Sequence, residues 1–145
     1  MKLTFKKVTK KDFNYLLRLR KETMNEHFQN LGIQVSKTEH IERIMYHFKN
    51  ALIIFYGEEK VGLLKLAENN TQVEILQIQI DKKSQGKGIG QKIINEVIEI
   101  AFNKNKKVTL SVLKGNKAIN LYERSGFKVF TENNQSIQMI AYKSC

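Results

Sequence analysis

The sequence predicts an α/β domain built around a mixed β-sheet, and three observations carry that prediction. Apolar residues recur with period two in some stretches and at helical spacing in others, and the two patterns alternate along the chain. One stretch runs strand, glycine-rich turn, long amphipathic helix, strand, which requires at least one parallel pair in the sheet. There is no proline, repeat or low-complexity segment, so nothing marks an internal boundary, and residues 1–145 are read as one domain.

The elements follow in order. Leu3 to Val8 is a short strand. Thr9-Lys10-Lys11-Asp12 has the form of a helix capping box, and Phe13, Leu16, Leu17, Met24 and Phe28 follow at helical spacing until Gly32 ends or interrupts the helix. Ser36-Lys37-Thr38-Glu39 is a second capping box, with Ile41, Ile44, Met45 and Phe48 expected on one helical face. The period then changes. Ala51 to Tyr56 and Val61 to Ala67 are strands around Gly57-Glu58-Glu59-Lys60, and Asn69-Asn70 turns the chain into Val73 to Ile80. In that strand Val73 and Ile75 alternate on odd positions, but Leu76, Ile78 and Ile80 on even ones. Either a β-bulge near Ile75-Leu76 shifts the phase, or both faces are buried.

Ile89, Ile93, Ile94, Val97, Ile98, Ala101 and Phe102 form the clearest helical stripe. Lys104, Lys106 and Lys107 sit at or past its end, where cations complement the helix dipole. Val108, Leu110 and Val112 alternate as a strand. Asn116 to Arg124 is a short helix stopped by Ser125-Gly126, and Phe127 to Thr131 with Ser136 to Tyr142 close the chain as two strands.

Composition narrows the functional classes. The chain is 41% hydrophobic and 27% charged, the balance of a soluble globular protein. No apolar run approaches the ~20 residues of a membrane span, and no apolar block follows the basic start Met1 to Lys7, so neither a span nor a secretory signal is expected. The lone Cys145 cannot form an internal disulfide, which fits a reducing, cytoplasmic setting. The net charge of +11 suits nucleic acid, an acidic protein or a polyanionic cofactor as partner. Its lysines are scattered rather than massed, so a solvated basic surface is the default and nucleic-acid binding the weaker reading.

Gln85-Gly86-Lys87-Gly88-Ile89-Gly90 lies between a strand and the start of the long helix. Helix N-termini offer free N–H groups to anions, and glycines let a backbone approach a phosphate. A P-loop needs Lys-Ser/Thr after its last glycine, but Gln91-Lys92 follow here. A dinucleotide fingerprint needs its third glycine at position 91. Both readings fail, which leaves another phosphate ligand or a plain glycine-rich turn.

The loop resembles the Gln/Arg-x-x-Gly-x-Gly/Ala signature of the GNAT acetyltransferase superfamily, matched by Gln85, Gly88 and Gly90. Lys82 departs from the proline common there. A second segment, Asn116 to Phe127, resembles the later family motif Asn-x-Ala-x-x-Leu-Tyr-Glu-x-x-Gly-Phe, with every named position filled. The resemblance covers residues 73 to 130 and implies a mostly antiparallel central sheet, flanked by helices, with one parallel pair splayed by a bulge to admit acetyl-CoA. It also implies a coenzyme A site. Gln85, Gly86, Lys87, Gly88, Ile89, Gly90 and Gln91 form its pyrophosphate loop, and Ile78, Gln79 and Ile80 pair with the pantetheine arm. Asn116 bonds the pantetheine amides, and Tyr122 faces the cofactor sulfur. Without the family, Asn116 is an N-cap and Tyr122 a packed aromatic.

The implied activity is transfer of an acetyl group from acetyl-CoA to a primary amine by direct attack, with no metal. A lysine-type amine, pKa ~10.4, must first lose its proton. Glu74, a charged residue in an apolar strand, falls where histone acetyltransferase members carry their base; alternatively it is an exposed strand carboxylate. A backbone N–H near Ile78 would stabilise the carbonyl oxygen. Tyr122 would assist the thiolate, although full proton transfer is uphill by about 2 kcal/mol at ordinary pKa values. His27, His40 and His47 have no ligand partners at useful spacing. The acceptor, a small-molecule or peptide amine, is expected among the first two helices and the last strands, with His27, Gln29, Asn30 and Gln34 on its rim. The last strands also offer a route to a homodimer. Two alternatives stand beside the enzyme: a non-catalytic acyl-CoA sensor on the same fold, and a basic nucleic-acid-binding module.

Overall fold

The computed structural model describes residues 2–30, 32 and 35–143, apart from the side chains of 23–30. The side chains of Met24, His27, Phe28, Gln29 and Asn30, and the whole of Gln34 and Cys145, invoked above, lie outside what is described. The elements run β1 (Leu3–Lys7), α1 (Phe13–Asn30), α2 (Lys37–Met45), β2 (Ala51–Tyr56), β3 (Glu59–Glu68), β4 (Gln72–Ile80), α3 (Ile89–Asn103), β5 (Lys107–Leu113), α4 (Ala118–Arg124), β6 (Lys128–Glu132) and β7 (Ser136–Ala141). The strands form a seven-stranded sheet in the order β1-β2-β3-β4-β5-β7-β6, mostly antiparallel, with β4–β5 the parallel pair. The chain divides into two compact units, residues 1–65 with 77–87, and residues 66–76 with 88–145.

In the first unit, Thr9 and Asp12 form the expected capping box, and a single 3-10 turn leads into α1. Leu16 and Leu19 of α1 pack with Val8, Ile44, Ala51, Ile53 and Leu63 into a buried cluster. Each such leucine contributes about 1.5–3 kcal/mol by leaving water. Ser36 caps α2 by accepting from the Glu39 N–H at 3.1 Å. The expected apolar face of α2 is only partly realised. Ile44 is buried, but Met45 is 51% exposed, and His40 is buried instead. The helix ends at Met45, and the left-handed His47 turns the chain, so Phe48 reaches the core from a separate turn.

The end of α2 is held by a residue that sequence alone assigns to solvent. Lys65 of β3 is fully buried, and its ammonium donates to the carbonyls of Arg43 (2.9 Å), Ile44 (2.9 Å) and Tyr46 (2.6 Å). These are acceptors that a helix leaves unsatisfied at its C-terminus. Burial, together with Arg20 and Arg43, pulls the Lys65 pKa down to about 8, while the three carbonyls favour the charged form.

In the second unit, Ile89, Ile93, Ile94, Val97 and Ala101 of α3 are buried, as are Val108, Leu110 and Val112 of β5. Lys104 is the C-cap of α3, at the helix end as expected; it and Lys106 also pair with Glu68, and Lys107 already belongs to β5. The fully buried positions of β4 stay odd through Val73, Ile75 and Gln79, while Leu76, Ile78 and Ile80 are half-buried. Both faces of β4 are thus covered in part. The parallel ladder pairs Gln72–Ile75 with Lys107–Leu110, and both strands continue past its last pair.

Candidate functional site

The turn before α3 is built for exposed backbone. Asp81 closes its base by accepting from the Ser84 N–H at 3.1 Å, and its own N–H reaches the Val61 carbonyl at 2.9 Å. The Gln85 side chain donates back to the Ile80 carbonyl at 2.9 Å, which braces the turn. Gly86 and Gly88 then take φ of 79° and 78°, a left-handed conformation costly to residues with a Cβ. Space is not the constraint there, since a Cβ at either glycine meets nothing within 4 Å. Gly88 is the N-cap of α3 and brings no side-chain bond, and the first helical amide satisfied is that of Lys92, bonded to the Gly88 carbonyl at 3.2 Å. Among the described residues, no backbone amide from Gly86 to Gln91 donates to a protein group. Gln85, Gly86, Lys87 and Gly88 are exposed.

Gly90 and Gln91 dock α3 onto α4. A Cβ on Gly90 would press on Leu121 Cδ2 at 3.2 Å. The Gln91 side chain donates to Ser125 Oγ at 2.6 Å, and Ser125 Oγ donates to the Leu121 carbonyl at 2.8 Å. The same α4 carries Tyr122. That residue is 6% exposed, its ring lies edge-on to Phe127 with centroids 5.9 Å apart, and burial pushes its pKa up to about 12. Its hydroxyl has no hydrogen-bond partner among the described residues. Asn116 precedes this helix in an Asx turn, its Oδ1 accepting from the Ala118 N–H at 2.9 Å; the N-cap itself is Lys117, and the helix starts two residues later than expected.

Glu74 lines a cavity of about 430 Å³ over β4, β5 and β7, with Thr109, Leu110, Ser111, Gln138, Lys107 and Tyr142. Ile78 and Ile80 are half-buried on β4. Gln79 turns inward instead: it is 6% exposed, and its side-chain amide has no hydrogen-bond partner among the described residues. Of the histidines, His40 is packed inside, where burial lowers its pKa, and His47 is exposed. No group of three His, Cys, Asp or Glu side chains gathers among the described residues, and no helix there is long and apolar enough to cross a membrane.

Sequence reasoning missed Lys65, the burial of the Gln79 side chain and the Gln91–Ser125 bond. The only available signal was a lysine or glutamine inside an otherwise apolar strand, for which a surface face is the ordinary reading.

The model of the acetyltransferase (GNAT) family matches residues 15–127. The acetyltransferase PseH of Campylobacter jejuni is 31% identical over 88 residues, which are 59% of this chain and 55% of that protein, so the match spans little more than half of the relative. Among solved structures, the PaiA N-acetyltransferase of Thermoplasma acidophilum in complex with coenzyme A superposes with TM-score 0.74 at 20% identity, covering 99% of this chain and 100% of that one. An acetyltransferase of Thermus thermophilus gives 0.77 at 19% identity, covering 97% and 96%. A chimeric spermidine N-acetyltransferase, SpeG, from Vibrio cholerae and hSSAT gives 0.71 at 25% identity, covering 98% and 96%.

Proposed function

This chain belongs to the acetyltransferase (GNAT) family, and from that premise we propose that it moves an acetyl group onto a primary amine, with Glu74 as base and Tyr122 assisting the departing thiolate. The coarser part follows from the family: the protein is an acyltransferase and its donor is acetyl-CoA. Acetyl-CoA supplies an activated thioester, and the chain's own residues bind, orient and move protons around it.

The observation that carries the reading is the run of unpaired amides from Gly86 to Gln91. Unpaired donors at a helix N-terminus suit a diphosphate, whose charge the helix dipole also favours. Gly86, Lys87, Gly88, Ile89, Gly90 and Gln91 are assigned to that group, with Gln85 bracing the turn through Ile80. Ile78, Gln79 and Ile80 are assigned to the pantetheine arm by main-chain pairing, and Asn116 by its side-chain N–H₂, since its Oδ1 serves the cap.

Glu74 takes one proton from the incoming ammonium, the lone pair so freed forms the N–C bond as the C–S bond breaks, and the second proton of the nitrogen leaves with the thiolate as free thiol. A main-chain N–H of β4 near Ile78 is assigned to the carbonyl oxygen. The burial of Tyr122 decides how it helps the sulfur. With its pKa at about 12, handing its proton to a thiolate of pKa ~8.5 is uphill by about 5 kcal/mol. Tyr122 therefore donates a hydrogen bond and keeps its proton.

The test is a panel of amines with acetyl-CoA, read by release of free thiol, after a thermal-shift titration with acetyl-CoA. Stabilisation together with amine-dependent thiol release is expected. Stabilisation without thiol release for any amine identifies an acyl-CoA sensor and defeats the transferase reading. Salt-sensitive nucleic-acid binding that coenzyme A does not affect defeats both.

A further inference from the structure

We infer that the acceptor amine carries an anionic group, a carboxylate or phosphate, and that Lys107 selects it. The inference rests on the reading of Glu74 as the base. Glu74 and Lys107 are the only acidic and basic residues among those lining the cavity of about 430 Å³. Both are half-buried, and among the described residues the side chain of neither has an ion pair or hydrogen bond, to the other or to any other group. The neighbouring lysines behave differently, since Lys104 and Lys106 are both spent on Glu68. Lys107 is the one of the three that faces the cavity.

Strand register fixes the spacing of the two charges. Lys107 lies opposite Gln72, and Glu74 lies opposite Thr109. A two-residue offset is ~6.6 Å along the strands and ~4.8 Å across them, which places the two backbones ~8 Å apart. Glu74 is next to the end of the parallel ladder at Ile75–Leu110, and Lys107 is at the other end of it. An amine presented to Glu74 therefore extends its remaining length toward an ammonium. Gln72, Thr109, Ser111, Gln138 and Tyr142 supply only uncharged hydrogen-bonding groups along the way. A diamine would set its second cation against Lys107, whereas an anionic tail of matching length completes the charge pairing at both ends.

The experiment compares four amines of equal chain length: an ω-amino acid, its carboxamide, the aminoalkyl phosphate and the diamine. We expect wild-type kcat/KM for the carboxylate or the phosphate to exceed that for the carboxamide at least about tenfold, the diamine being poorest. The larger of the two anionic values names the source of the charge. Lys107→Gln should bring the acid-to-carboxamide ratio near one, and Lys107→Glu should invert the preference toward the diamine. A wild-type ratio near one, or one that Lys107→Gln leaves as it was, overturns the inference. Binding without turnover separates this outcome from failure of the transferase reading. The same amines are titrated while the backbone amide signals of Thr109 and Ser111 are followed by NMR. If no amine is acetylated but the anionic ones still bind preferentially, the reaction assigned above is wrong and the Lys107 site stands. If binding shows no preference, the site falls whatever the reaction.

Discussion

Replacing Gly62 by alanine is expected to destabilise the protein by about 2–3 kcal/mol and to weaken acetyl-CoA binding at the same time. Gly62 of β3 is buried and has no positive φ, so backbone conformation does not demand glycine there. Space does. A Cβ at this position would overlap the Gln79 carbonyl oxygen outright and lie 3.1 Å from the Gln79 carbonyl carbon and 3.2 Å from Ile80 Cα. All three atoms are main chain, so no rotamer change can relieve the overlap and β4 itself must move. Overfilling a packed site costs about 1–3 kcal/mol, and a backbone collision belongs at the upper end. Against this, alanine loses less entropy than glycine on folding, a gain of about 0.4–1 kcal/mol. The clash wins. With a urea m-value of about 2 kcal/mol/M, the midpoint should fall by about 1–1.5 M. Equilibrium urea unfolding followed by circular dichroism measures it. Calorimetric titration then reads the second effect, because the displaced residues Gln79 and Ile80 are those assigned to the pantetheine arm. A midpoint unchanged or raised would show that β3 and β4 are not held this closely at Gly62.

Four further outcomes are expected. Tyr122→Phe should lower kcat by about 10- to 100-fold, the value of one hydrogen bond to a charged sulfur, with KM for acetyl-CoA little altered; wild-type turnover would make Tyr122 packing alone. Because the wild-type tyrosine ionises only at about 12, its loss as a donor should leave no falling limb in kcat below pH 10, and a limb that disappears in the phenylalanine variant would contradict this. Glu74→Gln should depress kcat/KM most at low pH, where the amine is fully protonated, and an unchanged pH profile would remove Glu74 from the mechanism. Lys65→Met should cost about 3 kcal/mol in urea unfolding, because the buried Ile44 carbonyl loses its donor and two half-buried carbonyls are left to water; a loss under 1 kcal/mol would mean that α2 holds its place without the lysine.

Much of the fold was legible because its signals are local. The capping residues Thr9 and Ser36, the stripe from Ile89 to Ala101 and the alternation of Val108, Leu110 and Val112 each declare an element within a few residues. What was not legible depends on contacts between distant positions. The burial of Lys65 requires the end of α2, about twenty residues earlier in the chain, to present three carbonyls to it. Met45 keeps helical spacing but faces solvent, because the chain turns at His47 and takes the apolar side away with it. Lys107 reads as a helix-end cation until the register of β5 turns it toward the same cavity as Glu74. The site divides in the same way. The glycine turn and the Asn116 to Phe127 motif are contiguous and could be recognised residue by residue. The cavity of Glu74 and Lys107, proposed for the acceptor, is assembled from single residues of β4, β5 and β7, and no short motif announces it.

The central claim is that the backbone between Gly86 and Gln91 holds the diphosphate of coenzyme A. Its most direct measurement is an NMR titration of the labelled protein with coenzyme A, following the amide signals of those six residues. The account predicts that they shift together and saturate with the ligand. Shifts confined to other regions, with these six unmoved at saturation, would contradict it.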